Sequence, residues 1–490
     1  MNIIAKQSFY NTASIFFAFF LGAINTLILY PKILGAEFYG LVLTLLANSN
    51  LLQPFFSFGI QHSIIKFYYS YSSKIKKDTF LSFSLLQPWI IITPIIIVIL
   101  IFYNPLLDYL SQKNAIIRDF VYVVIWVAIA TSYFEIFYSW LRIHLKTVFG
   151  NFLKEVYPRL AITILLSLRA AEILNNQTFI TLLIASYYLR LAIIIFYAFS
   201  LYRPKFYWKF PKNTKKILKY CLYILLSGSA ASILIDIDKF MIPQYQLISE
   251  VSFYAVAIFI ASVIEIPGRA LFQIISPLTS KALSEKNNQA LENLLKNSAN
   301  NLLYISGFLF LCIQANISNI YTFIPNQWQG YEKAFQIVII VSFARLFNMS
   351  MGCVNHIISN SKYYPYQLYI SITSAAMVVF LNVILIPTYG INGAAWATVT
   401  VLVVSNIVRI GLVFFKFKMH PYSKNSIKTT LLILSIYFAT FTLSFSAEPL
   451  LDIVLKITLI GFVYIGIGYL FNLAPQLKEL IINYFKKISH

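Results

Sequence analysis

Nine ionisable residues lie within long apolar runs of this 490-residue chain: Glu135, Arg190, Asp236, Asp238, Lys239, Glu265, Arg269, Arg345 and Arg409. A charge held inside a bilayer costs about 2.5–3.5 kcal/mol on insertion scales, so each needs a counter-charge or water, and each is a candidate for binding or for moving an ion. Asp236 and Lys239 are three apart, share a helix face and can pair. Asp238 falls on another face and needs another partner. The alternative is that this cluster only marks a helix end at the outer interface. Glu265 and Arg269 are four apart in the favoured orientation, yet Pro267 and Gly268 lie between them. Proline removes a rung of the backbone ladder, and a broken helix flanked by charges is how transporters line a substrate path. The alternative is an internal ion pair bracing a kink.

Arg345 sits mid-run in AFQIVIIVSFARLFNMS (Ala334–Ser350) without an acid on its own helix. It must therefore face an acid on another helix or an aqueous cavity. The guanidinium fork suits a diphosphate. Arg269 and Arg345 are thus the leading candidates for lining a cationic cavity, with Glu265, Lys239 and Arg190 behind them. Arg409 is expected to snorkel to the cytoplasmic surface, and Arg169 and Glu172 look interfacial. Asp236, Asp238 and Glu135 are the candidates for a coupling ion, the alternative for Glu135 being a pair with Arg190 or with another helix. Asn11, Asn25 and Thr26 in the first run can meet sugars or a cation, or simply bond between helices.

The elements that hold these residues follow from composition. Hydrophobic residues make up 59% of the chain and charged residues 11%, with mean hydropathy +0.74. Soluble domains carry about 25% charged residues, so lipid must solvate most of this chain. The runs read as an all-α polytopic membrane protein with about fourteen transmembrane helices. The fifth (Leu160–Leu174) and thirteenth (Thr429–Phe445) are short for a core of about 30 Å. Lys and Arg divide between alternate loops roughly 27 to 4, which places both termini in the cytoplasm. The net charge of +21 belongs to those loops, so the basic balance predicts contact with anionic lipids rather than nucleic acid.

The loop Arg203–Lys219 has seven basic residues and no acid. It separates two six-helix lobes, residues 1–210 and 211–420, leaving helices thirteen and fourteen and a cytoplasmic tail in 421–490. A faint internal echo supports duplication: YPKILGAEFYGLVLTLLA (Tyr30–Ala47) and YQLISEVSFYAVAIFIA (Tyr245–Ala261) each pass from a span end through a polar hairpin to an aromatic–Tyr pair. No loop has room for a nucleotide-binding or catalytic domain, so no enzyme activity is expected. Cys221, Cys312 and Cys353 show no metal or disulfide pattern, and the five histidines show no ligand spacing, so no metal is expected.

Three segments carry a family resemblance. In Ile233–Glu285, Asp236 or Asp238, Lys239, Tyr254 and Arg269 match the polysaccharide flippase branch of the multidrug/oligosaccharidyl-lipid/polysaccharide (MOP) exporter superfamily. LIPTYGINGAAWATV (Leu385–Val399) is similar to that family's Pro-x-x-Gly-x-x-Gly-Ala-Ala turn, and LGAEFYG (Leu34–Gly40) to its first hairpin. The resemblance implies a flippase of the O-antigen and capsule (Wzx) type, in the bacterial inner membrane. Such a protein carries undecaprenyl-diphosphate-linked oligosaccharide by alternating access. It implies no cofactor, coupling to an H+ or Na+ gradient, and a polysaccharide polymerase and chain-length machinery as neighbours. A cation-coupled small-molecule exporter or a lipid II-type flippase of the same superfamily is the alternative. A membrane-embedded polymerase or glycosyltransferase would need better-furnished external loops.

Overall fold

Hydrocarbon offers backbone N–H and C=O groups no partner, so a chain this apolar must satisfy them internally, and helices do so. A computed structural model describes residues 3–324, 331–440 and 443–476. It is 86% helix, and the described residues contain no strand. The side chain of Asn11 and the tail lysines Lys478, Lys486 and Lys487 lie outside the described residues. Large apolar side chains face outward, as at Phe196 (77% exposed), Phe438 (72%) and Phe462 (81%), which is intelligible only with lipid as the solvent.

The chain divides into two compact units, Met1–Ser252 and Phe253–His490. The first holds α1 (Ile3–Ile24), a π turn (Asn25–Leu29), α2 (Tyr30–Ser57), α3 (Ile60–Phe67), α4 (Lys74–Ile101), α5 (Tyr103–Ser111) and α6 (Tyr122–Ile143). Then come α7 (Thr147–Asn151), a second π turn (Phe152–Val156), α8 (Tyr157–Ala170), α9 (Asn176–Leu201) and α10 (Thr214–Tyr245). α6 packs on α2, α3 and α9 around a core of Phe80, Phe134, Phe137, Trp140 and Ile194. α10 packs along α2 and α3 and so belongs to the first of the two compact units.

Two breaks shape this unit. At Gly35 (φ 76°, ψ 156°) the chain folds back so tightly that the Tyr30 and Tyr39 rings stack 4.4 Å apart. Nine residues of unbroken helix would separate them by about 13 Å. Gly40, just beyond, lies so close to Ile248 that a Cβ would sit 2.0 Å from its carbonyl oxygen. At Phe58 and Gly59, both left-handed (φ 47° and 72°), α2 ends and α3 starts.

The second unit begins within α11 (Ser249–Ser262). A 3-10 turn (Val263–Glu265) follows, then α12 (Ile266–Ser284), α13 (Asn288–Thr322), α14 (Phe335–Ser350) and α15 (Val354–Asn360). It ends with α16 (Tyr364–Phe417), α17 (Lys424–Thr440) and α18 (Pro449–Leu470). α13 is the axis, with α12, α14, α17 and α18 against it. The pair Asp452–Lys456 (2.7 Å), almost fully buried, fixes α18 to α13 through Asn319, which donates to Asp452 at 2.6 Å. α16 breaks at Gly390 (φ 57°, ψ −138°), where a Cβ on Gly393 would come within 2.1 Å of the Leu385 carbonyl oxygen.

Among the described residues, nine helices are long and apolar enough to span a bilayer, or ten if α14 and α15, bent by 55°, count as one. The expected fourteen differs from ten by two kinds of segment. Ala13–Ser57 and Tyr364–Phe417, 45 and 54 residues, would reach about 68 and 81 Å if straight, and each is two arms folded at Gly35 or Gly390. α8 and α17 are only 14 and 17 residues long.

Candidate functional site

The second unit brings Glu265, Arg345 and Arg409 together at the break between α11 and α12. Pro267 in the first turn of α12 starts the helix without losing a bond, because the first N–H groups have no intrahelical partner. Glu265 occupies the N-cap of α12, where a carboxylate meets the positive end of the helix dipole. Gly268 lets α14 come close: a Cβ there would lie 2.7 Å from the Met349 sulfur.

Across that contact Arg345 Nη1 donates to Glu265 Oε2, and Asn348 Nδ2 to Glu265 Oε1 at 2.9 Å. The chain of bonds continues into the second arm of α16. Asn406 Nδ2 donates to Asn348 Oδ1 (3.2 Å), and Arg409 Nη1 donates to Asn406 Oδ1 (3.1 Å) and Ser405 Oγ (3.0 Å). Three helical segments thus share one polar network containing two guanidiniums and one carboxylate. The ion pair is half-buried, with side chains 18% and 17% exposed. The Nε atoms of Arg345 and Arg409 are buried without a hydrogen-bond partner among the described residues.

This geometry revises the spacing argument. Glu265 pairs with Arg345, eighty positions on, and the Arg269 side chain is exposed. Of the two surroundings open to Arg345, the structure supplies an acid on another helix. Arg409 does not snorkel: its guanidinium turns back onto its own helix and joins the network.

In the first unit Lys239 Nζ meets Asp236 Oδ1 at 2.7 Å, and Asn50 Nδ2 donates to Asp236 Oδ2 at 3.1 Å. Asp236 and Asp238 are both buried, and α10 runs on to Tyr245, so the cluster does not mark a helix end. Glu135 pairs with Lys154 (2.7 Å), not with Arg190. The second π turn packs on α1 and so brings Lys154 to Glu135 of α6. Arg190 is 5% exposed and lies over the rings of Phe134 (4.2 Å) and Tyr187 (4.8 Å), a cation–π arrangement. Asn25 bonds between helices, donating to the Arg159 carbonyl at 2.9 Å and accepting from Thr163 at 2.9 Å.

Sequence reasoning missed Asn50, Lys154, Asn348 and Asn406. Isolated amides in apolar runs were the available signal for three of them.

A search of curated proteins returns no match. Among solved structures, a lipid II flippase MurJ in an inward closed conformation is similar at TM-score 0.73 and 16% identity, over 96% of this chain and 99% of that one. An inward-facing multidrug resistance MATE transporter of the MOP superfamily is similar at TM-score 0.61 and 14% identity, over 88% and 95%. A MOP superfamily transporter from Pyrococcus furiosus, whose binding pocket is described as reversed in polarity, is similar at 0.56 and 12%, over 84% and 96%. These likenesses establish the fold, that of the MOP transporters. A family model described as polysaccharide biosynthesis protein matches residues 4–282, more than half of the sequence, and this chain therefore belongs to that family.

Proposed function

We propose that the protein flips undecaprenyl-diphosphate-linked oligosaccharide repeat units across the bacterial inner membrane by alternating access, for O-antigen, capsule or exopolysaccharide assembly. The observation that carries the reading is the network Glu265–Arg345–Asn348–Asn406–Arg409, which retains a net positive charge inside the helical layer. A bilayer-embedded guanidinium is held there at a cost, and a diphosphate linker is an anion that repays it. Membership of a polysaccharide biosynthesis family and a fold shared with a lipid II flippase support the same reading.

In this scheme Glu265 occupies Arg345 while no substrate is bound. An arriving diphosphate takes over the fork, because a guanidinium–phosphate contact is charge-assisted and bidentate. Asn348 and Asn406 hold the orientation of both arginines, and Arg269, one turn along α12, adds a further cation. Lys239 and Arg190 are weaker candidates for the anion, since one is paired with Asp236 and the other is stacked between rings. Asp236, Asp238 and Glu135 are the groups through which an H+ or Na+ gradient would act. Both termini would face the cytoplasm, with the polymerase and chain-length machinery acting on the delivered product.

The test is deletion in a glycan-producing host. Lipid-linked repeat units should accumulate, wild type should clear them, and Arg269→Ala and Arg345→Ala should insert normally yet clear them poorly. Normal surface glycan without accumulation refutes the proposal.

A further inference from the structure

The second unit holds a cavity apart from the arginine network. About 570 Å³ in volume, it lies where α12 gives way to α13 and α15 to α16, and the far end of α16 closes it; its wall includes Ser280, Lys286, Asn288, Lys362, Tyr363 and Phe417. Glu265 and its network occupy the opposite end of α12.

Charge sets this cavity apart. No carboxylate lines it. Lys362 Nζ lies 5.3 Å from the centre of the Tyr363 ring, and Lys416 Nζ lies 5.6 Å from the same ring. Among the described residues Lys286, Lys362 and Lys416 make no ion pair, while the acids beside Lys286 in sequence are taken: Glu285 by Lys281 (3.8 Å) and Glu292 by Lys296 (2.5 Å).

Two of these lysines stand against local preference. Lys286 has φ 52°. Its N–H donates to the Leu283 carbonyl (3.3 Å) and that of Asn287 to the Ala282 carbonyl (3.0 Å), the helix ending in which glycine is the usual residue. Lys362 comes just before Tyr363, the N-cap of α16, where a cation meets the positive end of the helix dipole. Gathered on one cavity, the three charges also repel one another. An anion among them offsets all of this.

The surroundings give the depth. Tyr364 and Tyr366 are exposed beside Lys362, and exposed Leu278 and Phe415 carry the lipid-facing surface up to the cavity. Tyrosines concentrate at the level of the headgroups, and basic pockets between helices at that level take lipid headgroups. The chemistry that fits is a phosphate carried on a lipid, its chains lying along the apolar flank.

We propose that this cavity retains the headgroup of one anionic membrane phospholipid, a resident lipid distinct from the one carried. The lysine ammonium is a hydrated point charge, suited to a headgroup that stays in contact with water, whereas the guanidinium fork of the network suits a desolvated diphosphate. The site does not depend on the flippase reading.

Full-length protein in zwitterionic detergent is offered cardiolipin, phosphatidylglycerol, phosphatidylcholine or polyprenyl diphosphate, and native mass spectrometry counts the lipid retained. Wild type should hold one anionic phospholipid about tenfold or more tighter than phosphatidylcholine. Lys286→Gln, Lys362→Gln and Lys416→Gln should each weaken it about fivefold, and together about a hundredfold. Lys205→Gln, Lys209→Gln and Lys212→Gln combined, which remove three exposed lysines from the basic loop of the first unit, should leave it bound. Lys286→Gly suits the left-handed backbone, so it should release the lipid without lowering the unfolding temperature, which separates lost binding from lost fold. Equal losses in the two triple variants reduce the effect to surface charge and overturn the site. Preferential retention of polyprenyl diphosphate over both anionic phospholipids, abolished by the same three substitutions, overturns the resident-lipid assignment.

Discussion

Removing Arg345 should produce two effects that a second substitution separates. Arg345→Met leaves the Glu265 carboxylate half-buried with Asn348 as its remaining partner. Breaking a buried pair by deleting one member costs about 3–5 kcal/mol. Here each side chain keeps nearly a fifth of its surface exposed, so solvent screens part of the charge, and Asn348 still bonds one oxygen; about 2–3 kcal/mol is the expected loss. Glu265→Gln added to Arg345→Met removes the stranded charge while keeping an amide for Asn348, and should restore about 1.5–2 kcal/mol of coupling. Denaturation in mixed micelles measures both. Repeat-unit clearance in the deletion host should stay low in the single and the double variant, because the cation is missing in each. Glu265→Gln alone should keep clearance possible while tightening binding of bare polyprenyl diphosphate up to tenfold, about 1.4 kcal/mol, since no carboxylate then competes for the fork. If the double variant recovers clearance along with stability, Arg345 is only the partner of Glu265 and the anion assignment fails.

Gly390→Val should lower the thermal unfolding temperature, since the backbone at φ 57°, ψ −138° is reserved for glycine and costs about 1–3 kcal/mol otherwise. Gly411→Ala, in the same helix with nothing within 4 Å of a new Cβ, should be neutral or gain up to about 1 kcal/mol. His144, just past α6, has its pKa lowered by burial and by nearby Lys77. Its neutral form is therefore the one the fold favours. As pH falls below about 6.5, the ordinary imidazole value, the unfolded chain gains a proton that the folded chain resists, so stability declines. Thermal scans at pH 7.5 and 5.5 should show a drop that His144→Gln reduces; an identical drop in the variant would discount His144.

Helix content and lipid as solvent were legible in the sequence because each follows from local composition, and the two hairpins because the apolar runs break there at segments that resemble a known family's turns. Partnerships between distant helices were not. The Glu265–Arg269 expectation used a rule for continuous α-helix, and the chain between them is the junction of a 3-10 turn with a new helix, which leaves the carboxylate to α14. Glu135 and Lys154 are nineteen positions apart in sequence, beyond any rule for neighbours on one helix face, and a π turn packed on α1 brings them together. The Asp236–Lys239 pair was readable because both lie within unbroken α10. The same broken backbone that misleads the spacing rule creates the site. A continuous helix through residue 265 would satisfy its own N–H groups and could pair Glu265 with Arg269 on its own face. Interrupting the helix gives Glu265 a helix N-terminus and makes its carboxylate available to Arg345. The guanidinium is then held by a partner that an incoming diphosphate can displace.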